Sequence, residues 1–173
     1  MFLEPKTVLK HLPLTASAKV GDFGTGAGHY ALAAAERIGA EGAVYAFDAF
    51  GPSLDALLKE AERYPSPFYA LRSDLNTHIP LKDDLLDAAI VANVFSQVSK
   101  RGRFAGELAR VVKPGGTALV IDWVTARITP SSHEALTPAE AARTFRAAGF
   151  VVGEMLPAGT HHFAFLATAP KNS

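Results

Sequence analysis

The 173-residue chain contains no cysteine, so disulfides, thiolate metal sites and cysteine nucleophiles are excluded together. It has no net charge either: lysine plus arginine and aspartate plus glutamate stand at 17 each, leaving no global field to draw the protein toward nucleic acid or an anionic membrane. Long apolar runs are missing, and no stretch approaches the roughly 18–20 uninterrupted apolar residues of a membrane span. The start, Met1-Phe2-Leu3-Glu4-Pro5-Lys6, has no charged region leading into a long apolar one, so the expected compartment is cytoplasmic. There is no internal repeat, low-complexity run or linker. One domain over residues 1–173 is expected, with about 17 residues and a short helix carrying Val8, Leu9 and Leu12 ahead of the first strand, and no large cap insertion.

What is present begins with Val20-Gly21-Asp22-Phe23-Gly24-Thr25-Gly26-Ala27-Gly28. An apolar strand, Ala18 to Phe23, runs into alternate glycines and then into Tyr30, Ala31, Ala34, Ala35 and Ile38 at helical spacing. Glycine suits such a turn because the chain must reach positive φ and let a ligand approach bare backbone. The dinucleotide fingerprint is G-x-G-x-x-G, whereas this turn is D-x-G-x-G-x-G. Asp22, at the carboxyl end of the strand, repels a pyrophosphate and favours a cationic ammonium or sulfonium group.

Alternation of strand and helix continues along the chain. Ala43 to Asp48 reads as a second strand, Gly51-Pro52 opens a helix with Leu54, Leu57, Leu58 and Ala61 on one face, Phe68 to Leu71 is a third strand, and Ala88 to Ala92 a fourth. Asn76 to Asp84 reads as loop or broken helix. A helix over Gln97 to Val112 is stopped by Lys113-Pro114-Gly115-Gly116 before the strand Ala118 to Ile121. Thr137-Pro138-Ala139-Glu140 matches a capping box, and Gly149 ends the helix it starts. Phe150 to Leu156 and His162 to Thr168 are joined too closely for a parallel crossover, so they pair antiparallel. Thr125 to Glu134 is the most loop-like segment. The result is an α/β, three-layer αβα arrangement whose ligand edge lies at the strands' carboxyl ends.

Asp22-Phe23-Gly24-Thr25-Gly26-Ala27-Gly28, Asp48, Ser73-Asp74-Leu75 and Arg110-Val111-Val112-Lys113-Pro114-Gly115-Gly116 together resemble class I S-adenosylmethionine-dependent methyltransferases, in particular the type-11 or UbiE-like group, which includes quinone-ring C-methyltransferases. The resemblance runs from about Ala18 to Thr168. It implies a Rossmann-like, doubly wound seven-stranded sheet of order 3-2-1-4-5-7-6 with the last strand antiparallel, and S-adenosyl-L-methionine as cofactor. It also implies a cofactor site of Asp22, Gly24, Thr25, Gly26, Gly28, Asp48, Ala49, Asp74, Leu75 and Asn93. In it Asp48 accepts the ribose hydroxyls, Asp74 the adenine amino group, Leu75 offers backbone, and Asn93 holds the methionine end or faces the substrate. Phe50, Phe95 and Trp123 are candidates to line the adenine or sulfonium region.

In-line methyl transfer needs positioning more than a dedicated group. Where a base is used, Asp122, His133, His161 and His162 are the candidates, with His133 and His161 favoured as catalytic. Asn93-Val94-Phe95-Ser96 departs from an N-P-P-Y motif, which argues against amino methylation. Asn93 and Asp122 make a poor ligand set for a hard cation, so no metal is expected. Lys100, Arg101, Arg103, Arg110 and Lys113 read as a solvated face, which disfavours nucleic acid as a partner. The expected acceptor is a small or lipid-like molecule, such as a quinone-type ring, and the expected state a monomer or homodimer. Two other readings compete: a non-catalytic S-adenosylmethionine-binding module, suggested by the absent cap, and a nicotinamide-dependent oxidoreductase, which shares the glycine-rich turn and an acid like Asp48.

Overall fold

A computed structural model describes residues 3–124 and 136–170. In chain order its elements are α1 (Pro5–Leu9), β1 (Lys19–Phe23), α2 (His29–Ala35), β2 (Ala43–Asp48), α3 (Gly51–Ala61), β3 (Phe68–Arg72), β4 (Leu86–Ala92), a single 3-10 turn (Phe95–Gln97), α4 (Arg101–Val111), β5 (Val112–Trp123), α5 (Pro138–Ala147), β6 (Val151–Leu156) and β7 (His162–Thr168). The strands form one sheet in the order β3-β2-β1-β4-β5-β7-β6, as expected. Pairing is parallel from β3 through β5, and β7 runs antiparallel to both β5 and β6.

Side-chain alternation along each strand divides the core in two. Val20 of β1, Ile90 of β4, Ile121 of β5 and Ala164 of β7 pack with α1, α2 and α3 on one face. Phe23, Val91, Val120 and Phe165 pack with α4 and α5 on the other, where Phe95, Phe104 and Phe145 are fully buried. Cutting a ring such as Phe145 back to alanine costs about 3–5 kcal/mol at a site of this kind. The capping box at Thr137 is formed: Glu140 N–H donates to Thr137 Oγ1 at 3.2 Å, and Thr137 N–H to Glu140 Oε2 at 2.9 Å.

Two boundaries differ from the sequence reading. Helix α4 begins at Arg101 rather than Gln97, because side chains capture the preceding backbone: Asp122 accepts Ser96 N–H at 2.8 Å and Asn76 accepts Lys100 N–H at 2.9 Å. Lys113-Pro114-Gly115-Gly116 does not form a separating loop but lies inside β5 as a bulge, where the register against β4 slips between Leu86 and Ala88. Gly115 sits at φ 78° and donates to Ala169 O, while a Cβ on Gly116 would lie 2.9 Å from the Asp87 carbonyl.

Of the basic residues of this region, Arg101, Arg110 and Lys113 are engaged by acceptors of the protein, while Lys100 and Arg103 are exposed. Arg110 donates to the carbonyls of Ile79 and Leu81 and pairs with Asp83 and Glu107, fastening the non-helical 76–84 segment to α4. The Arg110 guanidinium holds the Glu107 carboxyl down at about 2. Lys113 pairs with Asp87 at 2.5 Å, and Arg101 donates to the carbonyls of Phe95 and Ser96. At the other end of the chain, Val8, Leu9 and Leu12 are buried in the core cluster that α2 helps to form, and Arg37 donates to the carbonyls of Leu9 and Leu12, anchoring α1. Among the described residues no helix is long and apolar enough to cross a membrane.

Candidate functional site

The turn after β1 is pinned to the neighbouring strand: the amides of Gly24 and Thr25 both donate to the Phe47 carbonyl, at 2.8 and 2.9 Å. Gly24, Gly26 and Gly28 all lie at positive φ, but for different reasons. A Cβ on Gly24 would meet Val94 at 2.5 Å and one on Gly28 would meet Leu57 at 2.4 Å, so these two glycines serve packing as well as conformation. A Cβ on Gly26 would meet nothing within 4 Å. Its bare backbone faces open space, as a ligand-binding turn requires.

Two carboxylates flank this turn. Asp22 is 2 % exposed and accepts a hydrogen bond from Thr25 Oγ1 at 2.7 Å. Burial pushes its carboxyl up to about 6, with the charge of Asp48 adding to the rise and the Thr25 bond opposing it. An acid held in this way is stabilised by any cation brought beside it. Asp48, at the tip of β2, accepts the Gly26 amide on one oxygen at 2.8 Å and the Phe50 amide on the other at 2.9 Å.

Two clefts open at this edge, and Asn93 and Gly24 line both. The first, about 330 Å³, is bounded by Gly26, Asp48, Ala49, Ser73, Asp74, Leu75 and Val98. Asp74 is exposed there and accepts the backbone and side-chain amides of Asn76 on one oxygen, which lowers its pKa and leaves its other oxygen without a partner among the described residues. The second cleft, about 780 Å³, runs beneath α1 and is bounded by Leu3, Pro5, Asp22, Thr25, Tyr30, Ala33, Ala92 and His162. Burial raises the Tyr30 phenol to about 12, helped by Asp22. Between the clefts, Asn93 stands at φ 56°, uncommon for a residue with a side chain. Its amide donates to Ile121 O and its carbonyl accepts from Gln97 Nε2, but among the described residues its buried Oδ1 has no partner. A strained residue with an unpaired acceptor is a feature of ligand sites.

Nine of the ten residues expected to hold the cofactor therefore line these two clefts; Gly28 lines neither and shapes the turn. The residues expected to line the site or act as base are placed less uniformly. Phe95 is fully buried against Phe104 and Phe145 and belongs to the core. Phe50 is 62 % exposed at the mouth of α3 and borders neither cleft. Asp122 is on the opposite face of the sheet from the second cleft, and its carboxylate is taken up by Ser96 and Trp123 N–H. His161 is exposed and lines neither cleft, while the adjacent His162 lines the second. Trp123 packs against His162, ring centroids 4.0 Å apart and planes tilted by 36°. His133 falls outside the described residues.

Comparison with known proteins agrees with this geometry. Residues 21–120 match the family described as "Methyltransferase domain". The chain is 36 % identical over 104 residues to a 2-phytyl-1,4-naphtoquinone methyltransferase of Nostoc punctiforme and 31 % over 103 residues to that of Trichormus variabilis. Each match takes in 59 % of this chain and 45 % of the relative, so the similarity spans about half the length of these relatives. Among solved structures, a SAM-dependent methyltransferase from Aquifex aeolicus superposes with a TM-score of 0.84 at 28 % identity, covering 97 % of this chain and 90 % of that one. The [4+2]-cyclase SpnF shares the fold, with a TM-score of 0.85 at 17 % identity over 97 % of this chain and 81 % of that one.

Proposed function

Because this chain belongs to the class I S-adenosylmethionine-dependent methyltransferases of the type-11, UbiE-like family, we propose that it binds S-adenosylmethionine across its two clefts and transfers the methyl group to a small, quinone-type or lipid-like ring. The observation that carries this reading is the meeting of Asp22, Asp48, the open Gly26 backbone and the unpaired Asn93 Oδ1 at one sheet edge. S-Adenosylmethionine supplies a methyl carbon made electrophilic by its positively charged sulfur. Every other part of the chemistry falls to the protein, chiefly as positioning.

Asp48 has a second lone pair on each carboxylate oxygen for the ribose hydroxyls, and the free oxygen of Asp74 and the backbone at Leu75 are placed for adenine. Asp22 compensates the cationic end, because its ionised form is under-solvated until a positive group joins it. Asn93 Oδ1 accepts from a donor at the junction of the two clefts, where the methionine end belongs. The second cleft has a mostly apolar wall that includes Leu3, Pro5, Leu32, Ala33 and Ala92, which suits a flat ring. The 2-phytyl-1,4-naphtoquinone methyltransferases among the relatives favour the same acceptor class.

A nicotinamide cofactor fits less well, since its pyrophosphate would sit beside the buried Asp22 carboxylate. A purely binding role leaves the second cleft without use. Incubation with methyl-labelled S-adenosylmethionine and naphthoquinol acceptors, with and without an isoprenoid tail, tests the proposal. Label in the ring is expected; cofactor binding with no label in any quinol contradicts the acceptor class.

A further inference from the structure

We propose that His162 is the group that meets the methyl acceptor, accepting the proton of an acidic hydroxyl, phenolic or enolic, held in the second cleft. This rests on the methyltransferase reading above. The topology explains how a residue so late in the chain reaches the site: β7 is antiparallel to its neighbours, so its first residue, not its last, lies at the edge where β1 and β4 end. Parity then selects the histidine. His162 shares a sheet face with Ala164 and Leu166, the face that carries Asp22 and Ala92, whereas His161 turns outward.

His162 is 6 % exposed, yet among the described residues its Nδ1 has no hydrogen-bond partner. A buried ring nitrogen left in this state calls for an explanation, and a catalytic role is one. The Trp123 indole fixes the ring plane from one side. Burial lowers the imidazole pKa; Asp122 from β5 acts against this and His161 with it, while Glu4, Lys6, Asp22, His29, Tyr30 and Glu36 are the other ionisable residues that line the cleft. The shift favours the neutral ring, which has one proton-free nitrogen.

The identity of its partner follows from chemistry. A neutral imidazole accepts from a donor, so the acceptor must carry an N–H or O–H. The apolar stretch of the wall, Leu3, Pro5, Leu32 and Ala33, suits the flat conjugated ring of a phenol or enol. A phenol or enol enters neutral and ionises near about 10, within reach of a hydrogen-bonded base. The O–H bond breaks with its electron pair left on oxygen, and the proton forms an N–H bond on the ring. The oxyanion, through oxygen or the conjugated carbon, then gives the pair that bonds the methyl carbon as the carbon–sulfur pair departs on sulfur. The imidazolium returns its proton to water.

The test uses the wild-type protein saturated with S-adenosylhomocysteine, titrated with 1-naphthol and with 1-methoxynaphthalene, which lacks the donor. Histidine ring NMR and calorimetry read the result. Naphthol should shift the His162 ring nitrogens beyond any shift methoxynaphthalene causes and bind His162→Gln at least about 10-fold more weakly, while methoxynaphthalene binds both proteins alike. His162 resonances that naphthol moves no further than methoxynaphthalene does, or equal naphthol affinity in the folded variant, overturn the role. Should the variant not fold, the wild-type resonances decide alone. Failure of the wild type to bind S-adenosylhomocysteine overturns the methyltransferase reading and this role with it; binding without a naphthol response overturns this role only.

Discussion

Asp48 Oδ2 accepts the Gly26 amide at 2.8 Å, joining the acid that ends β2 to the one glycine of the turn whose missing side chain leaves open space. The two residues are 22 positions apart in sequence and form a single device. The carboxylate orders the backbone that the ligand approaches, and its remaining lone pairs face the same cleft.

Replacing Asp48 with alanine removes both functions. Loss of charge-assisted bonds to the ribose predicts cofactor binding weaker by about 1–3 kcal/mol, and loss of the Gly26 bond predicts a stability decrease of about 1 kcal/mol. Calorimetric titration with S-adenosylhomocysteine and thermal denaturation separate the two effects. Unchanged affinity would show that the ribose partner lies elsewhere.

The glycines of the turn should divide by function. Gly26→Ala meets no protein atom and carries only the positive-φ strain, on the order of 1–2 kcal/mol, but its methyl group occupies the cleft and should abolish measurable cofactor binding in a folded protein. Gly28→Ala drives into Leu57 and should lower stability by more than Gly26→Ala does. Paired melting curves and titrations of the two variants check this; an unaffected affinity in Gly26→Ala contradicts the open-backbone reading.

Asp22 should cost the free protein stability. Its folded pKa, about 6, lies above the ordinary value of 3.8, so folding favours the protonated form. That contribution is fully present below about pH 4 and lost as pH rises through 6. Above pH 7 the ionised acid costs on the order of 3 kcal/mol. Asp22→Asn keeps an oxygen for Thr25 and removes the charge, so the variant should melt several degrees higher than wild type at pH 8, with the difference vanishing near pH 4. Its affinity for S-adenosylmethionine should fall. A variant less stable than wild type at pH 8 would contradict the buried-charge account.

The same acid predicts proton-coupled binding. A cation beside Asp22 lowers its pKa, so S-adenosylmethionine should release about half a proton on binding at pH 6 and close to none at pH 8. Calorimetry in buffers of different ionisation enthalpy measures this directly. Buffer-independent heats at pH 6 would place the cation away from Asp22.

The succession of strands and helices was legible because each element rests on a local signal, a turn, a periodic helix or a cap such as Thr137–Glu140, whereas the strand order came from the family resemblance. What the sequence concealed depends on long-range pairing. Nothing around Phe95 or Asp122 reveals that one is core and the other is bonded to Ser96; both follow from which face of the sheet the residue takes once β4 and β5 are in register. The choice between His161 and His162 was open to strand parity, since Phe163 and Phe165 mark one face and leave His162 with Ala164 on the other. The Lys113–Gly116 bulge was hidden because proline and glycine there serve a register slip and not a loop.

The central claim is that these clefts hold an adenosyl group carrying a positive charge. Isothermal titration of the wild-type protein with S-adenosylmethionine, S-adenosylhomocysteine and NADH tests it most directly. One-to-one saturable binding of both adenosyl compounds, with no heat from NADH, is the predicted result. Silence from both at millimolar concentration, or NADH binding as tightly, would contradict it.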